Sequence, residues 1–168
     1  MNKKNILLLC AMAVFILTVS SCKDDSNEPN PSDPIRKLAG TKWQLTAFVD
    51  VENDTRRPPD YENSMFKDSS FSLSFDNDSL ISGYSARNWL EGKYSVDYNA
   101  SILLIKSMIT TQVGDSNSDG HLYEDIMTGI DQSFPFKLYS QELHLFYNDG
   151  KECLEFKKIG EIYEKEKE

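Results

Sequence analysis

Side chains able to do chemistry are few in this chain, and they are scattered. Histidine occurs at only two positions, 121 and 144, and there is no His-Glu-x-x-His, no cysteine pair, no Gly-x-Ser-x-Gly and no glycine-rich phosphate loop. Counting alone does not remove a glycosidase pair from a chain with 27 acids, but no motif marks one, and no enzyme is expected. The sharpest local pattern is Asp115-Ser116-Asn117-Ser118-Asp119-Gly120, the first half of a calcium loop, in which alternate oxygens converge on one ion. Asp115, Asn117 and Asp119 are its candidate ligands, and calcium is the only cofactor the sequence suggests. The twelfth position, which should be a bidentate acid, is Ile126, with Asp125 one residue early. Ordinary loop and helix-cap chemistry uses the same residue types and is the simpler reading. A second constellation is Tyr84, Arg87 and Trp89 in one short turn. Aromatics with an arginine are common in binding hot spots, and aromatic faces stack on sugar rings, so a glycan or peptide is a candidate partner; local packing is the plainer alternative.

The N-terminus carries a different message. Lys3 and Lys4 precede Ile6 to Val19, an apolar run of fourteen residues interrupted only by Thr18. That is shorter than the roughly 20 residues of a bilayer span, and no stop-transfer pattern comes after it, so it reads as an export signal. Val19-Ser20-Ser21-Cys22 then resembles the bacterial lipobox, in which the cysteine is acylated and becomes the mature N-terminus. Two or three acyl chains hold a protein on a membrane without a transmembrane helix. Lys23-Asp24-Asp25 resembles the signal that sends Bacteroidetes lipoproteins to the outer face of the outer membrane. The expectation is a lipid-anchored, surface-exposed outer-membrane protein, bound to the membrane through its lipid. Acidic balance overall, 18 Lys and Arg against 27 Asp and Glu for a net charge of -9, speaks against nucleic acid or an anionic membrane surface as a partner. Cys10 leaves with the signal and Cys22 is taken by lipid, so Cys153 is left without a disulfide partner.

Period-two alternation dominates the remainder of the chain. Trp43, Leu45, Ala47 and Val49 share one face, and Phe71, Leu73 and Phe75 share another. Further strands are expected at Leu80 to Ser85, Gly92 to Tyr98, Ser101 to Met108, Phe134 to Tyr139, Glu142 to Tyr147 and Glu152 to Lys157. Turn signals such as Asn148-Asp149-Gly150 separate them, which implies antiparallel neighbours. One segment has helical spacing, Leu122, Ile126 and Ile130 with Tyr123 and Met127 beside them, and Asp119 as a possible N-cap. The fold class is therefore mainly β (α+β): a strongly curved or barrel-like antiparallel sheet of about eight strands, with one helix before the last three. His144, flanked by Leu143 and Leu145, belongs to the outer face. Asp50 to Ser70, with Arg56-Arg57-Pro58-Pro59 in its middle, is too long for an ordinary loop and reads as functional or partly disordered. The expected division is signal 1–21, lipidated cysteine and linker 22–34, one monomeric β domain 35–159 and a charged tail 160–168.

Leu38-Ala39-Gly40-Thr41-Lys42-Trp43-Gln44-Leu45, Gly83-Tyr84-Ser85-Ala86-Arg87-Asn88, Gly92-Lys93-Tyr94 and Thr110-Thr111 stand in the order of motifs in META (HslJ-like) domains, which the chain resembles over about residues 36 to 158. Ala86 replaces that family's glycine and Arg87 its usual cysteine, so any disulfide-linked form of the turn is absent. The resemblance implies a non-enzymatic envelope protein with a stress or integrity role, and an Asn88 that hydrogen-bonds the backbone. The Gly-Thr-x-Trp opening is similar as well to small lipocalin-like lipoproteins, which implies an alternative, a carrier with an apolar ligand inside the barrel.

Overall fold

The computed structural model describes residues 37–114, 116–129 and 131–162. Nine strands form one antiparallel sheet: β1 (Thr41–Asp50), β2 (Thr55–Arg57), β3 (Ser72–Phe75), β4 (Leu80–Tyr84), β5 (Trp89–Asp97), β6 (Ile102–Thr110), β7 (Gln132–Leu138), β8 (Glu142–Tyr147) and β9 (Glu152–Glu161), with helix α1 (Ser118–Met127) between β6 and β7. From β3 onward each strand pairs with the next, and β1 pairs with both β3 and β9. This closes an eight-stranded barrel, in which no long strand edge is left for aggregation. The short β2 is a ninth strand, laid beside the far half of β1, where Phe48 faces Arg57.

Alternation gives the wall its two faces, and two bulges adjust it. A register shift between Leu45 and Ala47 in the β1–β9 pair turns Phe48 inward opposite Leu154 and sets Ala47 opposite Glu155, where strict alternation would have placed Ala47 and Val49 inside. Another, between Glu91 and Lys93, coincides with Ser107 at φ 52° and keeps both Ile105 and Met108 inside. Trp43, Phe71, Phe75, Tyr123 and Phe156 fill the interior with Leu45, Leu73, Ile81, Leu103, Ile105 and Leu145, all at most 1% exposed. A cavity able to hold a ligand would leave the side chains around it accessible, and these are not.

Helix α1 closes one end of the barrel. Its buried residues are Asp119, Gly120, Tyr123 and Met127, while Leu122 and Ile126 are partly buried against the core. The expected stripe is thus present, deepest at Tyr123 and Met127, and Ile130 lies outside the described residues. Asn117 is the N-cap, its Oδ1 accepting from the Gly120 N–H at 2.9 Å. Asp119, expected there, stands inside the first turn. At the other end, an open cleft of about 500 Å³ lies between Lys37, Thr41, Tyr139, Lys158 and Glu161. Trp43 is its floor, and at 1% exposure it leaves no passage into the barrel. β9 runs to Glu161, where Lys158 Nζ donates to Glu161 Oε1 at 2.8 Å, so the barrel extends two residues into the stretch read as tail.

Candidate functional site

The turn between β4 and β5 gathers the polar contacts that seat the helix. Asn88, 2% exposed, is the hub. Its Oδ1 accepts from the Val113 N–H at 2.7 Å and the Thr111 hydroxyl at 3.0 Å, and its Nδ2 donates to the Val113 carbonyl at 3.3 Å and Glu124 Oε1 at 2.9 Å. Ser85, fully buried, donates its hydroxyl to the same Glu124 oxygen and accepts from the Asn88 N–H at 3.0 Å. The backbone bonding of Asn88 that the META resemblance implied is present here, with Glu124 of the helix added. A second set of contacts ties the helix to the long Asp50 to Ser70 segment. Asp119 Oδ1 accepts from Arg57 Nη1 at 2.7 Å and Oδ2 from the Asp60 N–H at 2.9 Å, while Asn117 Nδ2 donates to the Asp60 carbonyl at 2.9 Å. The segment that looked too long for a loop is therefore built into the fold.

These bonds bear on the calcium pattern. Asn117 and Asp119 direct their side-chain oxygens at N–H donors of the protein, which is cap and anchor chemistry; Asp115 lies outside the described residues. Among the described residues no group of three or more His, Cys, Asp or Glu is placed to hold a metal ion. The Tyr84, Arg87 and Trp89 constellation divides. Tyr84 and Trp89 are cross-strand partners on the outer wall, Tyr84 against Phe66 with ring centroids 4.6 Å apart and Trp89 45% exposed. Arg87 instead turns to the 111–114 segment, its Nη1 donating to the Gly114 carbonyl at 3.0 Å. Cys22, Lys23, Asp24 and Asp25 lie outside the described residues.

Two remaining groups with chemical potential are held inert or neutral. His144 faces outward, as alternation required, but half-buried beside Tyr139, with Glu142 Oε2 at 3.3 Å and Glu155 Oε1 at 4.0 Å; burial lowers its pKa, and Glu142 opposes that shift. Cys153 is 2% exposed, and burial pushes its thiol up to about 12. A raised folded-state pKa means a stabilising contribution that is complete below the ordinary thiol value near 8.5 and lost as pH rises toward 12. We expect Cys153 to resist a thiol reagent at pH 8 in the native protein and to react fully in urea. Rapid native labelling would show that the β8–β9 side of the barrel opens readily.

The fold and its polar hub define a class: a filled eight-stranded antiparallel barrel whose one helix is pinned across an end by Ser85, Asn88 and Glu124. No protein-family model matches the sequence, and no curated protein matches it. Solved structures share the fold. A protein from Burkholderia xenovorans, determined by NMR, is 18% identical with a TM-score of 0.53 over 79% of this chain and 98% of its own. A DUF4847 family protein from Bacteroides vulgatus, determined by crystallography, is 16% identical with a TM-score of 0.50 over 71% of this chain and 93% of its own. Likeness at these identities concerns the fold alone.

Proposed function

We propose that this protein is a lipid-anchored, META-like component of the cell envelope that acts non-enzymatically through its outer surface. The packing of the barrel carries the surface-acting part of that reading. A carrier of the lipocalin kind shares the barrel form but needs an interior space, and here Trp43, Phe71, Phe75, Tyr123 and Phe156 occupy it. The META-like part is supported by the helix placed before the last three strands and by the Asn88 hub. Lipid anchoring is supported by the apolar run 6–19 followed by Ser20-Ser21-Cys22, and display on the cell surface by Lys23-Asp24-Asp25.

The test is acylation. With Cys22→Ala, incorporation of a palmitate analogue should vanish and the protein should move from the membrane to the soluble fraction. Persistent labelling of that variant would defeat the reading. Protease added to intact cells should remove the wild-type protein, whereas survival would place it on an inward-facing leaflet.

A further inference from the structure

An apolar and aromatic strip runs along the outside of β4, β5 and β6, where a soluble barrel would carry polar residues. The register brings its members together in rows: Tyr84 beside Trp89, Glu91 beside Ile109, and Leu80 beside Lys93, which faces Lys106. Trp89 is 45% exposed and Ile109 is 68% exposed, and Phe66 extends the strip past Tyr84. Lys93 and Lys106 are directly opposed across the strand pair, an arrangement that costs stability unless an anion lies between or above them. Among the described residues neither lysine has a carboxylate partner. The wall combines Trp and Tyr, amphipathic rings that favour the membrane–water interface, with lysines that reach lipid phosphates.

We propose that this wall is where the barrel rests on the lipid bilayer to which its N-terminus is attached. The proposal rests on the lipid-anchor reading of Cys22. Fourteen residues separate Cys22 from Lys37, a reach of up to about 50 Å, while the nine residues of β5 span about 30 Å. The lipid can therefore insert beside any part of the wall, and attachment raises the effective concentration of membrane at its surface. The net charge of -9 speaks against bilayer contact for the molecule as a whole. Contact, however, senses charge within about a Debye length of 8 to 10 Å. On this wall the paired lysines balance Glu91 and Asp97, so a net-neutral face and not the overall acidity is what the bilayer would meet.

Tryptophan provides the reporter, because Trp89 is exposed and Trp43, the other one, is 1% exposed. The acylated full-length mature protein is reconstituted in phosphatidylcholine–phosphatidylglycerol vesicles, with and without bromine-labelled acyl chains, and a Trp89→Phe variant isolates the Trp43 signal. Trp89 emission should fall by about half with the brominated lipid and be shielded from aqueous acrylamide. Lys93→Glu combined with Lys106→Glu should restore most of it. Emission indifferent to the brominated lipid and open to acrylamide overturns the proposal. Shielding that appears without vesicles and grows with protein concentration assigns the wall to a second copy, and shielding by a sugar on a glycan array assigns it to a glycan; either outcome overturns it too. A purified protein without acyl mass defeats the anchor reading separately, and the same vesicles added to that protein still decide for or against the wall.

Discussion

Replacing Gly83 with alanine is expected to cost the protein about 3 kcal/mol or more, a large fraction of the stability margin of a small domain. Gly83 is buried on β4 opposite Leu73. A Cβ there would lie 2.0 Å from the Ser72 carbonyl oxygen and 3.0 Å from its carbon. Those are backbone atoms of the adjoining strand, so no rotamer change makes room, and β3 and β4 must separate. The same carbonyl accepts the Tyr123 hydroxyl at 3.2 Å. Displacing it therefore also loosens the helix that closes the barrel, which couples a single methyl group to both the wall and its lid. Urea denaturation measures the loss. A change below about 1 kcal/mol would show that the close approach of the two strands is not needed for folding.

Asn88→Ala should have the next largest effect, about 2 to 4 kcal/mol. It leaves the Val113 N–H without its partner, and Glu124 Oε1 with the Ser85 hydroxyl alone, in a site where Asn88 itself is 2% exposed. Hydrogen exchange should quicken first at Val113 and along α1, because Asn88 bonds both from the β4–β5 turn. Asn88→Asp gives a second readout. Its new oxygen would stand where Nδ2 now lies 2.9 Å from Glu124 Oε1, so two carboxylates would face each other. Their shared proton acquires a raised pKa, above the unfolded value near 4, so the variant holds its stability at acidic pH and loses it as pH rises through that pKa. At neutral pH it should be less stable than Asn88→Ala. Equal stability of the two variants from pH 4 to pH 8 would show that Asn88 and Glu124 are not in contact.

Several elements were legible in the chain because they depend on near neighbours. Alternation located eight strands within a few residues and turn residues paired them as neighbours, since a half-buried strand must alternate. Helical spacing placed α1 before the last three strands. The misses share a cause. β2 is Thr-Arg-Arg, entirely exposed, with no inner face to leave a pattern; it exists because the end of β1 offers it a partner. Phe48 and Met108 are inside because bulges reset the alternation, and a bulge is a property of a strand pair. Within the apolar stripe, the helix buries Tyr123 and Met127 more deeply than Leu122 and Ile126. Its roll is set by Glu124 and Asp119 finding Asn88 and Arg57, a constraint from distant residues.

Functional signals divide the same way. The expectations of an export signal and of an acylated Cys22 rest on contiguous residues, and that of an acidic molecule on composition, so the sequence by itself determines them. Tyr84, Arg87 and Trp89 looked like one site because they are adjacent in the chain, yet successive residues of a strand and its turn point in different directions. Trp89 keeps Tyr84 and shares the outer face of β5 and β6 with Ile109, Lys93 and Lys106, while Arg87 goes to Gly114. Whether the barrel is hollow was also beyond the sequence, because filling depends on which large side chains meet at the same height. Composition and local pattern are readable one residue at a time; a surface and a packed interior exist only once strand register has decided which residues are neighbours.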